Sequence, residues 1–317
     1  GCMDKANKTT VEEFILLAFS DLYQLQILLF IVTLLVYIMC VFGNCLIVII
    51  VRAEPSLHTP MYFFISTLSA LDIIYVSLVI PNLLANLIAA KKSISFNGCF
   101  IQLFVGATLG TAEGYLLAVM AFDRVLAINK PLQYVSIMTR QVCVQLALLP
   151  FIVGIVIALI PTVFTAGLEF CGPNEVHHFL CDFGPLQALA CSRPYMSQMV
   201  TNSGAIFAFG LPFVITVGLY IHIIIIISNI KSSESKRKAF STCSSHLTVA
   251  GLLMDKANKT TVEEFILLAF SDLYQLQILL FIVTLLVYIM CVFGNFLIIM
   301  IVRAEPSLHT PMYFFIS

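Results

Sequence analysis

Asp123 and Arg124 are an acid beside a base, set in the run MAFDRVLAIN at 120–129. From 100 to 121 the only ionisable side chain is Glu113, so the pair closes a helix that spans a membrane and marks that membrane's surface. The plainer alternative is an Arg that snorkels to the headgroups beside a convenient carboxylate. Two more carboxylates, Asp72 and Glu113, fall inside apolar runs. Each costs several kcal/mol in hydrocarbon unless paired, neutralised or hydrated, and two facing one bundle centre would form an acidic site. A sodium ion or a shared proton would reconcile them, and so would protonation with hydrogen bonds to Asn44 or to Ser and Thr hydroxyls. The same carboxylates could serve a transporter as an ion relay or an intramembrane protease as a dyad. Cysteine and histidine supply another constellation, with Cys99 after one polar stretch and Cys171, Cys181 and Cys191 in a long polar segment. On an oxidising face four cysteines make two disulfides. Cys171, His177, His178, Cys181 and Asp182 could instead hold zinc, although their spacing fits no common zinc motif. Ser244, Ser245 and His246 are adjacent in sequence and diverge around a helix, so no catalytic triad is assigned.

The elements that must position these residues are membrane helices. Apolar residues make up 60% of the chain and charged residues 10%, where an ordinary soluble domain has about 45 to 50% and about 25%. Most of the surface therefore faces something other than water, and membrane lipid is the first partner. The net charge of −1 argues for no nucleic-acid partner. Apolar runs at 25–51, 62–88, 100–121, 142–165 and 200–227 each supply the roughly 20 residues needed to cross the hydrocarbon as a helix. They lack the alternation of barrel strands. With the N-terminus outside, the inner segments carry Arg52, Arg124, Lys130, Arg140, Lys231, Lys236, Arg237 and Lys238, and the outer ones Lys5, Lys8, Lys91, Lys92 and Arg193. An Asn-Lys-Thr sequon places a glycan on Asn7 in that orientation. No cleavable signal peptide is apparent in the polar, intermittently acidic stretch 3–24, so the first span acts as the insertion signal.

Four separated motifs carry a family resemblance: PMYFFISTLSALD at 60–72, MAFDR at 120–124, HFLCDF at 178–183 and KAFSTCSSHLTV at 238–249. Together, in this order, they resemble the vertebrate olfactory receptors, seven-helix receptors coupled to heterotrimeric G proteins. The resemblance implies an all-α, polytopic transmembrane helix bundle in the plasma membrane, with a small volatile odorant as ligand and no cofactor beyond a sodium ion at Asp72 and Glu113. It implies that Asp123 and Arg124 hold the resting state by an ion pair and release the Arg toward the G protein. Val125 stands where such receptors usually have Tyr. It also implies the bridges Cys99–Cys181 and Cys171–Cys191, and a polar centre at Asn44 and Asp72. On the third span Gly106, Ala107, Gly110 and Thr111 would line the odorant pocket with Asn202, Ala205 and Ala208 of the fifth. Their small side chains leave volume, although small residues more commonly let helices pack closely.

Residues 1–253 follow this pattern, and the chain then departs from it. Residues 254–317 repeat 3–66, except that Phe296, Ile299 and Met300 replace Cys45, Val48 and Ile49. The copy carries a second first span at 276–302 where the family continues its sixth helix and adds a seventh. Transporter repeats are diverged halves of a fold, so a joined neighbouring paralogue or a misassembled gene product explains this one better. Gly1 and Cys2 read as an upstream extension. Lacking the family's seventh helix, the chain as written is expected to be defective in signalling. The short run 239–254 reaches about 24 Å as a helix and is expected to cross, which would put Asn258 outside.

Overall fold

The computed structural model describes residues 11–17, 26–89, 93–171, 173–176 and 178–228. The sequon at Asn7, Lys91, Lys92, His177, the cluster 236–238, the run 239–253 and the repeat 254–317 lie outside the described residues.

The elements in chain order are strand β1 (Glu13–Leu16), helices α1 (Gln26–Ala53) and α2 (Pro60–Ile88), strand β2 (Ser93–Ser95), and helices α3 (Phe96–Asn129), α4 (Pro131–Ile137) and α5 (Arg140–Ala166). Strand β3 (Glu175–Val176) and helices α6 (Phe183–Ala188), α7 (Tyr195–Ala205) and α8 (Leu211–Ser228) follow. Proline sets several boundaries. Pro55 follows the end of α1, while Pro60 and Pro131 occupy first helical turns, where a missing N–H costs nothing. Between α7 and α8 the chain makes a π turn at Ile206–Gly210, ending two residues before Pro212, whose ring cannot donate to the preceding turn.

Among the described residues five helical stretches are long and apolar enough to cross a membrane: Gln26–Ala53, Pro60–Ile88, Phe96–Asn129, Arg140–Ala166 and Tyr195–Ile226. The chain is a multi-pass membrane protein, and its fold is the all-α bundle the composition calls for. In α3 56% of the most apolar window is buried, against 11% in α1. On α5 Leu148, Ile152, Ile155, Leu159 and Val163 form an exposed apolar stripe at helical spacing, the face a membrane helix shows to lipid.

The described elements fall into two compact units. One gathers β1, α1 up to Val41, and the segments Leu71–Glu113 and Leu148–Gly210. Its β-sheet has the order β2-β1-β3, with β1 antiparallel to β2 (Phe14 opposite Ile94) and parallel to β3 (Leu16 opposite Val176). This sheet was not expected from a stretch read as polar and acidic. The alternation Glu13, Phe14, Ile15, Leu16 is too short to announce a strand by itself, and β1 exists because two other segments exchange hydrogen bonds with this stretch, the Asn174 and Val176 carbonyls accepting from Ile15 and Leu17 and the Phe96 N–H donating to Glu12. Phe14 and Leu16 are fully buried among Cys99, Phe100, Leu103 and Leu186. The Phe14 ring lies 5.9 Å from Phe96 and 5.5 Å from Phe170, centroid to centroid. The other unit gathers Phe42–Ala70, Gly114–Ala147 and the chain from Leu211 on. There Ala121 and Val125 of α3 pack against Tyr220 and Ile223 of α8.

Candidate functional site

The acid and base at 123 and 124 do not end their helix. α3 continues through Val125–Leu126–Ala127–Ile128, all compatible with a helix, and stops at Asn129 as Pro131 approaches. Nor does the Arg snorkel to headgroups, because Asp123 is 0% exposed and Arg124 3%. An Arg124 guanidinium nitrogen lies 3.3 Å from one Asp123 carboxylate oxygen. The other oxygen accepts a 2.7 Å hydrogen bond from the hydroxyl of Tyr134, on α4. Burial, and after it the charge of Asp123, pushes the Tyr134 hydroxyl far above the ordinary tyrosine range, so it stays a donor at any physiological pH. The result is a buried acid held from two sides, by a cation on its own helix and by a neutral donor on the next element. A charged pair out of water is costly and gains nearly all its compensation from geometry.

Sequence reasoning missed Tyr134, which lies ten residues beyond Arg124 in an amphipathic stretch with no charge; its signal was the PLQY segment directly after the motif. It also missed the apolar exposure of α4, where Leu132 is 99% and Val135 80% exposed. Val125 is buried against α8, so the position that usually holds Tyr serves here as helix packing.

The first unit holds the candidate ligand stretch. Gly106, Ala107 and Gly110 of α3 are half-buried and Thr111 is buried, with its hydroxyl donating to the Ala107 carbonyl at 2.8 Å. A methyl group placed on Gly106 would first meet Leu78, at 3.9 Å, and one placed on Gly110 meets nothing within 4 Å. On the fifth span Asn202 is exposed, Ala205 half-buried and Ala208 buried within the π turn.

Polar contacts tie this unit's connecting segments to its helices. Cys99 is bonded to Cys181 and Cys171 to Cys191, which leaves no thiolate for zinc, and among the described residues no group of three or more His, Cys, Asp or Glu could hold a metal ion. The buried Gln102 amide donates to the Leu78 carbonyl and its oxygen accepts the Cys181 N–H, both at 3.2 Å. Gln187 of α6 approaches the hydroxyls of Thr165, Ser197 and Thr201 at 3.0, 2.8 and 2.8 Å, linking α6 to the end of α5 and the start of α7. Its nitrogen carries two protons, so two of the three contacts are satisfied at a time. Asp72 and Glu113 are half-buried on α2 and α3 of this unit, and Asn44 is half-buried in the other.

Comparison with known proteins turns this arrangement into an identity. The sequence profile of the olfactory receptors matches residues 33–256. The chain belongs to the olfactory receptor family. It is 46% identical over 250 residues to human olfactory receptor 12D1, covering 78% of each chain. Against mouse olfactory receptor 5P68 it is 44% identical over 252 residues, 79% of this chain and 80% of that one, and against mouse olfactory receptor 6E1 42% over 247 residues, 78% and 79%. Membership makes this an odorant-detecting G-protein-coupled receptor by class and sets aside the protease and the transporter. Olfactory receptors are not enzymes, and the carboxylates and hydroxyls described above are given no catalytic role.

Proposed function

We propose that this olfactory receptor chain binds a small, weakly polar volatile against Gly106, Ala107, Gly110 and Thr111 of α3, with Asn202, Ala205 and Ala208 of the fifth span completing the contact. The observation that carries the reading is the open space at Gly110, where a methyl group meets nothing within 4 Å. Gly110 is half-buried and the space beside it is open, so a ligand can stand against the backbone there. The stretch offers little polarity, because the Thr111 hydroxyl is already committed to Ala107. Apolar contact would therefore supply most of the affinity. Saturable binding of a fluorescent apolar probe such as 1-aminoanthracene to the chain in lipid nanodiscs, abolished by Gly110→Trp, tests this; saturable binding that survives Gly110→Trp refutes it.

The heterotrimeric G protein would be engaged by the other unit. Tyr134 clasps Asp123 from α4, and the same short helix exposes Leu132 and Val135, apolar groups that a partner can cover. Release of Asp123 from Tyr134 would free the Asp123–Arg124 pair to rearrange. We place the chain in the plasma membrane with the N-terminus outside, on the charge bias and the two disulfides, which form on an oxidising face. A glycan on Asn7 that disappears in Asn7→Gln is the expected mark of that orientation. Asp72 and Glu113 are proposed oxygen donors for a sodium ion; a thermal midpoint raised by sodium over potassium, and no longer raised in Asp72→Asn, is the expected result.

A further inference from the structure

Gly154 is buried on α5 at a point where that helix meets α3 backbone to backbone. A methyl group on Gly154 would lie 2.5 Å from the Thr108 carbonyl oxygen, 3.3 Å from its carbonyl carbon and 3.4 Å from its Cγ2. Gly106 and Gly204 of this unit are far more permissive, with the nearest atom 3.9 Å and 3.8 Å away, and at Gly98 the 2.9 Å neighbour is a Ser95 side-chain oxygen, which can rotate. The atom in the way at Gly154 is main chain and cannot rotate aside. Any side chain at 154 must push the helices apart by about half an ångström or more to reach an ordinary carbon–oxygen contact.

We infer that Gly154 is a positioning residue for odorant recognition: its missing side chain sets how closely α5 approaches Thr108, and through it where the neighbouring Ala107, Gly110 and Thr111 stand. The inference rests on the reading of that α3 stretch as the ligand site. Thr108 is buried and its hydroxyl donates to Phe104 at 2.8 Å, so it is locked to its own helix and moves with it. Ala107, Gly110 and Thr111 lie within one turn of Thr108 but at other angles around α3, so a displacement at 108 is carried to them by rigid helix geometry. Gly154 would tune the ligand response without touching the ligand. A packed interior transmits such a shift because it has no slack to absorb it.

The test uses the full chain in lipid nanodiscs with two readouts. In the first, 1-aminoanthracene is titrated against the parent chain and Gly154→Ala, with folding checked by mass mapping of both disulfides. The dissociation constant is expected to change by roughly threefold to tenfold. Adding Thr108→Ser to Gly154→Ala should not restore it, because the obstacle is the carbonyl and not the methyl. A folded Gly154→Ala with a dissociation constant within about twofold of the parent overturns the proposal. The second readout needs no ligand: Gly110→Cys and, as a control in the other unit, Leu132→Cys are labelled with a methanethiosulfonate reagent, with and without Gly154→Ala. Labelling at 110 should change by roughly threefold or more while that at 132 holds steady, and equal changes at both overturn positioning in favour of general loosening. A parent chain that binds no probe, yet shows the local change at 110, refutes the ligand site and keeps the positional coupling. Should Gly154→Ala fail to fold, Ala158→Gly, one turn along the same buried face of α5, is read by the same labels, and no change at 110 then counts against the inference.

Discussion

Replacing Cys181 by Ser should be far more damaging than replacing Cys171 by Ser, and the structure gives the reason in two parts. The Cys99–Cys181 bond closes 82 residues and Cys171–Cys191 closes 20. Chain entropy alone assigns such loops roughly 4 to 5 and about 3 kcal/mol. In a membrane that gap narrows, because α3 and α5 are helical before they pack and already return the chain to the face it left. The effective loop ahead of Cys181 is then the segment after Ala166, and the entropic shares become similar, about 3 kcal/mol each. Burial separates them. Cys99 and Cys181 sit in the core beside Phe14, Leu103 and Leu186, whereas Cys171 and Cys191 are exposed. A Ser hydroxyl left in that core adds about 1 to 3 kcal/mol if it finds no partner. Cys181→Ser should therefore cost about 4 to 6 kcal/mol and Cys171→Ser about 2 to 3 kcal/mol. The assay is flow cytometry of an N-terminal tag, surface against total, with a thermal midpoint on purified chain. Cys181→Ser should lose the surface pool and Cys171→Ser keep part of it. The double variant Cys99→Ala with Cys181→Ala should recover the hydroxyl share but not the loop share. Equal loss in Cys171→Ser and Cys181→Ser, or mass mapping that finds all four cysteines as thiols, would refute the reasoning.

Tyr134→Phe deletes one donor to a buried carboxylate and should lower stability by about 1.5 to 3 kcal/mol, read as a lower thermal midpoint, while Leu132→Ala, almost wholly exposed, should leave the midpoint within about 0.5 kcal/mol of the parent. Phe14→Ala empties the centre of an aromatic cluster and should cost about 3 to 5 kcal/mol with loss of surface delivery; an unchanged surface pool would mean that β1 contributes little. Gln187→Leu removes the amide that joins Thr165, Ser197 and Thr201, leaving Thr165 and Ser197 their mutual 3.1 Å hydrogen bond, and should speed hydrogen exchange at the start of α7 before it changes exchange in α1.

Much of the fold was legible because membrane helices are written locally. Each of the five runs declares itself by length and apolarity, and the lipid-facing stripe of α5 follows from spacing along a single helix. The four outer cysteines and the acid–base pair could likewise be picked out one by one, and the near-identical repeat is a property of the sequence itself. Tertiary structure decided what those residues meet. Asp123 and Arg124 looked like a helix end because the strongest hydropathy stops there, yet α3 runs on and Tyr134 returns from the next element to clasp the acid. β1 becomes a strand because segments roughly eighty and one hundred and sixty residues away lie on either side of it. Gly154 reads as one more small residue in an apolar run until the Thr108 carbonyl is set against it. Local periodicity fixes which face of an element is apolar; hydrogen bonds and close approaches between elements depend on how whole helices are placed, and no window of neighbouring residues records that placement.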